Sequence, residues 1–251
     1  LALTLTPLQH IPLIRQGERL ADILLNALTQ NKIALEDNDI LVLAQKIVSK
    51  AEGRMVRLAD VQPSPRALDL AAQSGKDPRI VELILQESAE ILRVRFGTII
   101  VEHRLGFICA NAGIDQSNVS GDSETALLLP LHPDQSAREL RATLEQISGK
   151  RIGVMIIDSH GRAWRIGTVG MCIGLSGLPA LIDERGWKDL FGYTLKITIV
   201  GVADELAAAA SIMMGQAAEG APAVHVRGFP YPLTEGSLAE LLRPKEQDMF
   251  R

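Results

Sequence analysis

Hydrophobic positions along the chain fall into short strand-like runs and longer runs at helical spacing, and their alternation predicts an α/β protein. The opening stretch LTLTPLQHIPLI reads as a strand that ends in a loop broken by Pro7 and Pro12. GERLADILLNALTQ follows, with Leu20, Ile23, Leu24 and Leu28 on one helical face. ILVLA, preceded by Asp37 and Asp39, is a compact apolar strand, and residues 45–53 continue it as a polar turn or helix start. Asp77-Pro78 opens a helix, with proline at the first helical position where no N–H partner is lost, and the pattern carries that helix through RIVELILQESAEIL. Gly97 breaks the pattern, after which TIIVEHR and residues 105–110 pair as a hairpin. A helix over residues 135–147 leads into the buried strand RIGVMIID. KITIVGVAD is a further strand, and the Ala-rich helix ELAAAASIMM after it is ended by Gly215. PAVHVRG is a last strand, and residues 237–242 form a short final helix. The expected class is α/β (mixed α+β), built on a mixed sheet without a regular βαβ repeat.

Composition narrows the picture. A chain of 251 residues with 47% hydrophobic positions makes one large domain or two intimately packed ones, and no repeat or flexible linker divides it. Lys and Arg number 26 against 30 Asp and Glu, a net charge of −4 that argues against a general nucleic-acid binder. An anionic ligand would have to be held by a local site rather than by the overall field. Cys109 and Cys172 have no CxxC or CxxH companion, so neither a structural zinc nor a disulfide framework is indicated. Two buried thiols in a reducing cytoplasm is the expectation. Residues 1–13 lack the basic flank of a signal peptide, and the longest apolar runs, such as 152–157, are far short of a membrane span.

The familiar nucleotide motifs are absent. Ser148-Gly149-Lys150 lacks the upstream glycine of a P-loop and precedes a strand, so it reads as a helix C-terminus. In GTVGMCIGLSG, the glycines 167, 170, 174 and 177 are spaced three, four and three apart, which suggests one helical stripe for close backbone packing. Two acidic positions stand out instead. Asp115 lies among small, turn-forming residues in CANAGIDQSN, and Asp158 closes GVMIID ahead of Ser159, His160 and Gly161. Carboxylates at strand ends, with a hydroxyl beside one, suit a hard divalent cation; ordinary turn chemistry explains either one equally well. Gln216 and Glu219 form a polar cluster beyond a helix, and they too read as either a phosphate or metal contact or a solvated loop. Lys50 in QKIVSKAEGR is placed to neutralise phosphate oxygens or to sit in solvent on a helix face. Arg162 and Arg165 flank Trp164 and suggest either an anion grip or surface charge. His10, His103, His132, His160 and His225 show no metal-ligand spacing, and only His160 adjoins a candidate site.

Taken together, HIPLI, LAQKIVSKAEGR, CANAGIDQSNV, DSHGRAWRIGTVGMCIGLSG and VADELAAAASIMMGQAAEGAPAVHVRG resemble, in order and over nearly the whole chain, the coenzyme F-420 γ-glutamyl ligase family. The resemblance implies a GTP- and metal-dependent amide synthesis, in which an acyl phosphate of the coenzyme precursor is attacked by L-glutamate. It implies Asp115, Asp158, Ser159 and Gln216 as ligands of magnesium or manganese, with Lys50, Asp115 and Asp158 as the catalytic set. Ser159 stands where threonine is expected, and Gln216 where some members carry glutamate. It further implies a nucleotide held by Ile11, Pro12, Leu13, Ile14, Gln45, Lys46, Lys50 and Asn118. The loop of Met214, Gly215, Gln216, Ala217, Ala218, Glu219, Gly220 and Ala221 would complete that set. A homodimer, an assisting potassium ion, no nucleic-acid or membrane partner, and the absence of a C-terminal nitroreductase-like domain are also expected. The alternatives are an amide ligase acting on another acid, or a non-catalytic module that binds GTP or the deazaflavin.

Overall fold

Residues 40–44 are apolar throughout because they run through the middle of a five-stranded sheet that is covered on both faces. The computed structural model describes residues 2–119 and 121–248. In chain order the elements are β1 (Thr4–Pro7), α1 (Leu20–Gln30), β2 (Ile40–Ala44), α2 (Gln45–Ala51), β3 (Met55–Arg57), α3 (Pro65–Ser74) and α4 (Pro78–Glu87). There follow β4 (Ser88–Arg95), β5 (Thr98–His103), β6 (Ile108–Ala110), β7 (Thr125–Leu127), α5 (Pro133–Ser148), β8 (Gly153–Gly161) and β9 (Thr168–Ser176). The chain closes with β10 (Ile182–Asp183), β11 (Ile199–Val200), α6 (Val202–Met214), β12 (Ala223–Arg227) and α7 (Leu238–Leu241).

The main sheet has the order β1-β12-β2-β8-β9, and only β2 and β8 run parallel. Alternation along the two central strands divides the core between its faces. Leu41, Leu43, Val154 and Ile156 pack with Leu24, Leu28 and Leu144 of α1 and α5. Ile40, Val42, Met155 and Ile157 pack with Ala203, Ala207 and Ala210 of α6. A third cluster holds α3 and α4 against the three-stranded sheet β4-β5-β6. Phe107 touches both this cluster and the first, and so joins the smaller layer to the main sheet.

Most of the expected elements form, including a mixed-sheet α/β class. Four expectations on individual segments change. The helix opened by Asp77 and Pro78 stops at Glu87, and SAEIL is strand: six residues of β4 pair with β5, a tertiary contact that overrides local helical preference. The glycine stripe of residues 167–177 is not helical but the strand β9. Its role in close packing nevertheless holds. A Cβ on Gly170 would lie 2.5 Å from Ala207 O of α6, and one on Gly174 would lie 2.5 Å from Pro133 of α5. A bulge in β9 between the partners of Ile156 and Ile157 puts these two glycines on opposite faces. KITIVGVAD keeps only β11 as strand, since α6 already begins at Val202. Finally, Asp158 does not close its strand. β8 runs on to Gly161 along β9, leaving Asp158 just past the end of its parallel neighbour, where Ala44 is level with Ile157.

Candidate active site

Where β2 ends, β8 continues without a partner on that side, and the gap opens into a cleft of about 1050 Å³. Crevices beyond the carboxyl ends of parallel strands are the usual ligand sites of such sheets. Five segments line this one. Residues 11–14 and α2 stand on one side, residues 116–119 and 121–123 of a loop cover it, residues 157–159 form the floor, and residues 214–222 close it beyond α6.

Several polar side chains around the cleft are held by identifiable partners. Asp115 is fixed through its backbone, which exchanges both hydrogen bonds with Leu127 (3.0 and 2.8 Å). Its Oδ2 accepts from Gln45 Nε2 at 2.8 Å and lies 3.3 Å from Lys46 Nζ. Gln45 is itself oriented by Ser49, whose hydroxyl donates to Gln45 Oε1 at 2.8 Å. Burial, opposed by Lys46 and reinforced by the charge of Asp158, pushes the Asp115 carboxyl up to about 6. Burial, followed by the charge of Asp158, likewise pushes the Cys109 thiol up to about 12. Asp158 therefore projects its charge towards both groups.

Lys50 is not a solvated helix-face lysine. It is 8% exposed, its Nζ donates to Asn118 O at 2.8 Å, and burial together with the charge of Lys46 lowers its pKa. A buried ammonium short of carboxylates gains by meeting an anion. Asn118, in the left-handed conformation (φ 56°), also donates from Nδ2 to Ala217 O at 2.9 Å, tying the covering loop to the one after α6. That second loop turns at Gly215 (φ 71°), where any side chain would run into Glu219. Glu219 in turn accepts from Ala217 N at 2.8 Å. Ser159 Oγ donates to Gln216 Oε1 at 3.0 Å, while Gln216 Nε2 reaches Ser211 Oγ at 3.3 Å.

Asp158 and Ser159 are neighbours on one strand, so they face opposite sides of the sheet. Asp115 stands with the first and Gln216 with the second. Among the described residues, no three His, Cys, Asp or Glu side chains converge to hold a metal. The available donors are two carboxylates, a hydroxyl and an amide oxygen, all hard oxygens. The charge of Asp158 adds to burial in raising the proton affinity of Asp115, and a cation between the two carboxylates would relieve that repulsion. So sparse a protein donor set fits magnesium or manganese, which keep water and substrate oxygens in their coordination shells.

All sixteen residues singled out for the nucleotide line this one cleft, as do Lys50, Asp158, Ser159 and Gln216, and Asp115 stands just behind its wall. Arg162 and Arg165 do not join them. They lie in the exposed turn between β8 and β9, where Arg162 donates to Gly167 O at 2.9 Å. Sequence reasoning missed Gln116, Ser117 and Ser123 of the covering loop, although the small polar run SNVSGDS beside Asp115 carries the signal. It also missed Ser211, buried on the inner face of α6.

The single parallel strand pair and the cleft lined by carboxylates and lysines set this α/β protein apart from P-loop proteins and doubly wound dinucleotide binders. Its class is that of the amide-forming ligases. The chain belongs to the F420-0:gamma-glutamyl ligase family, whose model matches residues 9–228. It is 47% identical to the coenzyme F420:L-glutamate ligase of Methanothermobacter thermautotrophicus over 253 aligned positions, covering 100% of both chains. It is 45% identical to the protein of the same name from Methanopyrus kandleri, covering 97% of each chain. For the one from Archaeoglobus fulgidus the identity is 44%, over 98% of this chain and 95% of that one.

Proposed function

We propose that this chain uses GTP and a divalent metal to join L-glutamate to the unglutamylated coenzyme F420 precursor. What carries this reading, beside family membership, is the gathering of Asp115, Asp158, Lys46 and Lys50 at one cleft. A carboxylate of the precursor attacks the terminal phosphorus of GTP, the bond to the bridging oxygen breaks, and an acyl phosphate and GDP form. The amino nitrogen of glutamate then attacks the acyl carbon and loses its proton to solvent, and phosphate leaves with the electrons of the broken C–O bond. Lys50, poorly compensated and buried, binds the phosphate oxygens in both steps; Lys46 does so from the rim while steadying Asp115. Asp115 and Asp158 would hold one cation on one side of β8, Ser159 and Gln216 would offer oxygens to a second on the other, and bound metal would supply charge neutralisation at the phosphates. The loops joined through Asn118 keep water from the acyl phosphate.

The same reading includes a homodimer. β10 and β11 form an isolated two-stranded arm, marginal in water by itself, and its loop exposes Leu190 (98%), Phe191 (95%) and Ile197 (88%). A second copy of the chain is the partner that resemblance implies, and Phe191→Lys is expected to shift the sedimentation coefficient to that of a monomer. The unpaired cysteines support a cytoplasmic setting. The activity is tested by a mass-resolved reaction with GTP, magnesium or manganese, L-glutamate and the unglutamylated coenzyme, omitting one component at a time. A glutamyl mass increment that needs all four, with matching GDP, is expected. Tight binding of the ligands without an increment would make the chain a binding module, and an increment only on another acid would make it a relative with a different acceptor.

A further inference from the structure

His160 is a buried side chain that none of the roles above uses. It follows Asp158 by two residues on β8, so both project from the same face. Its Nε2 lies 3.0 Å from Asp158 Oδ2 and has no hydrogen-bond partner, because the ring N–H points off the line to the oxygen. The ring has little freedom. It packs against Phe107 with centroids 5.0 Å apart at 45°, and Phe107 stacks on His103 at 5.1 Å and 6°. His103 is anchored in turn. Its Nδ1 accepts from Leu105 N at 3.1 Å, which places its proton on Nε2, 3.7 Å from Glu87 Oε2. Glu87 is clamped by Arg54 at 2.8 Å and Arg104 at 3.1 Å. A line of side chains thus runs from the smaller sheet to the floor of the cleft and ends on one oxygen of Asp158.

The geometry points to His160 as the positioning residue of Asp158: its Nε2–H takes up Oδ2, fixes the carboxylate rotamer, and leaves Oδ1 to face the cleft. Histidines and carboxylates paired in this way orient the group that meets the ligand, and losing the partner commonly costs ~10- to 100-fold in metal affinity or activity. A small swing of either group turns the 3.0 Å approach into a hydrogen bond, so the ligand's arrival at Oδ1 and the bond at Oδ2 would reinforce each other. The ring ladder limits which way the imidazole can turn. Phe107 would therefore be needed for the cleft although it lines none of it.

This inference rests on the reading of Asp158 as a cation-holding residue, and the test separates the two. Binding of Mn2+ to the whole protein without substrates is followed by the paramagnetic signal of the free ion, beside kcat and KM for glutamate and the thermal midpoint. His160→Met keeps the bulk and removes the donor. It is expected to weaken Mn2+ binding ~10- to 100-fold and to lower kcat, with KM for glutamate and the midpoint little changed. His160→Gln places an amide N–H near the position of Nε2 and is expected to recover most of the loss. Normal Mn2+ binding by folded His160→Met overturns the inference, and so does a glutamine variant as impaired as the methionine one. Should His160→Met not fold, Phe107→Leu decides: a several-fold loss of Mn2+ affinity upholds the ladder, and unchanged affinity overturns it. Undiminished Mn2+ binding by Asp158→Asn would instead remove the role of Asp158 itself.

Discussion

The two ends of β2 carry the same chemistry in opposite condition. At its start, Asp39 is 1% exposed and fully compensated. Arg227 donates to both of its oxygens at 2.8 Å, Glu36 N donates at 2.8 Å, and His225 Nε2 lies 2.8 Å away. Burial alone would raise its pKa, but these partners hold it far below the usual carboxylate range. At the other end, burial dominates at Asp115 and the partners do not keep up, so its carboxyl rises to about 6. A carboxylate that the fold satisfies locks the strands together. One left wanting invites a ligand, and perturbed groups of this kind concentrate at functional sites.

Substitutions should separate the two ends cleanly. The largest effect is expected at the cleft: Asp158→Asn or Asp115→Asn should lower turnover ~100-fold or more with the fold intact, and normal turnover in a folded double variant would remove the proposed cation site. Asp39→Asn should do the reverse, losing ~1–3 kcal/mol of stability by removing the buried charge that Arg227 and His225 meet, while kcat of the folded fraction stays unchanged. A denaturant midpoint equal to that of the parent would break the contrast.

The sign with pH differs too. Asp39, with its pKa depressed, contributes stability that is present above about pH 4 and lost as the pH falls below it. Asp115, with its pKa raised, favours the folded state only while protonated, and that contribution is lost as the pH rises through about 6. Asp115→Asn should therefore raise the unfolding free energy at pH 8 by ~1–2 kcal/mol after allowance for partial exposure, read as a higher denaturant midpoint. A lowered midpoint would show that Asp115 is held more firmly than its environment suggests.

Lys50→Ala should raise KM for GTP ~10-fold or more with little change for glutamate, as expected of a group that meets phosphate oxygens. If only glutamate saturation changes, Lys50 serves the other substrate. The smallest effect is a proton count. Cation binding at pH 6 should release about half a proton from Asp115, and almost none at pH 8. Calorimetry in buffers of different ionisation enthalpy measures it, and equal release at both values would place the proton elsewhere.

Much of this was legible in the sequence because it is local. The periodicity of LADILLNALTQ, the run ILVLA, and the proline and Asp cap of α4 each contain their own physical reason. Ordered blocks bearing Asp115, Asp158 and Lys50 pointed to the candidate site, and the fold brings all three to one cleft. What was not legible is what depends on a partner. SAEIL and GTVGMCIGLSG are strands because β5 and β8 pair with them, and a period read along the chain contains no neighbour. Lys50 reads equally well as a surface lysine; only the covering loop, 68 residues away, buries it. His160 and Phe107 meet through two layers that the sequence separates by more than fifty positions.

The sequence by itself determined the class, the family and the identity of the groups available for chemistry, since these follow from local pattern and side-chain type. Tertiary structure alone decided which carboxylate is left uncompensated. Asp39 and Asp115 are the same type of residue, and the difference in their charge balance arises from the strands and loops that folding brings around them.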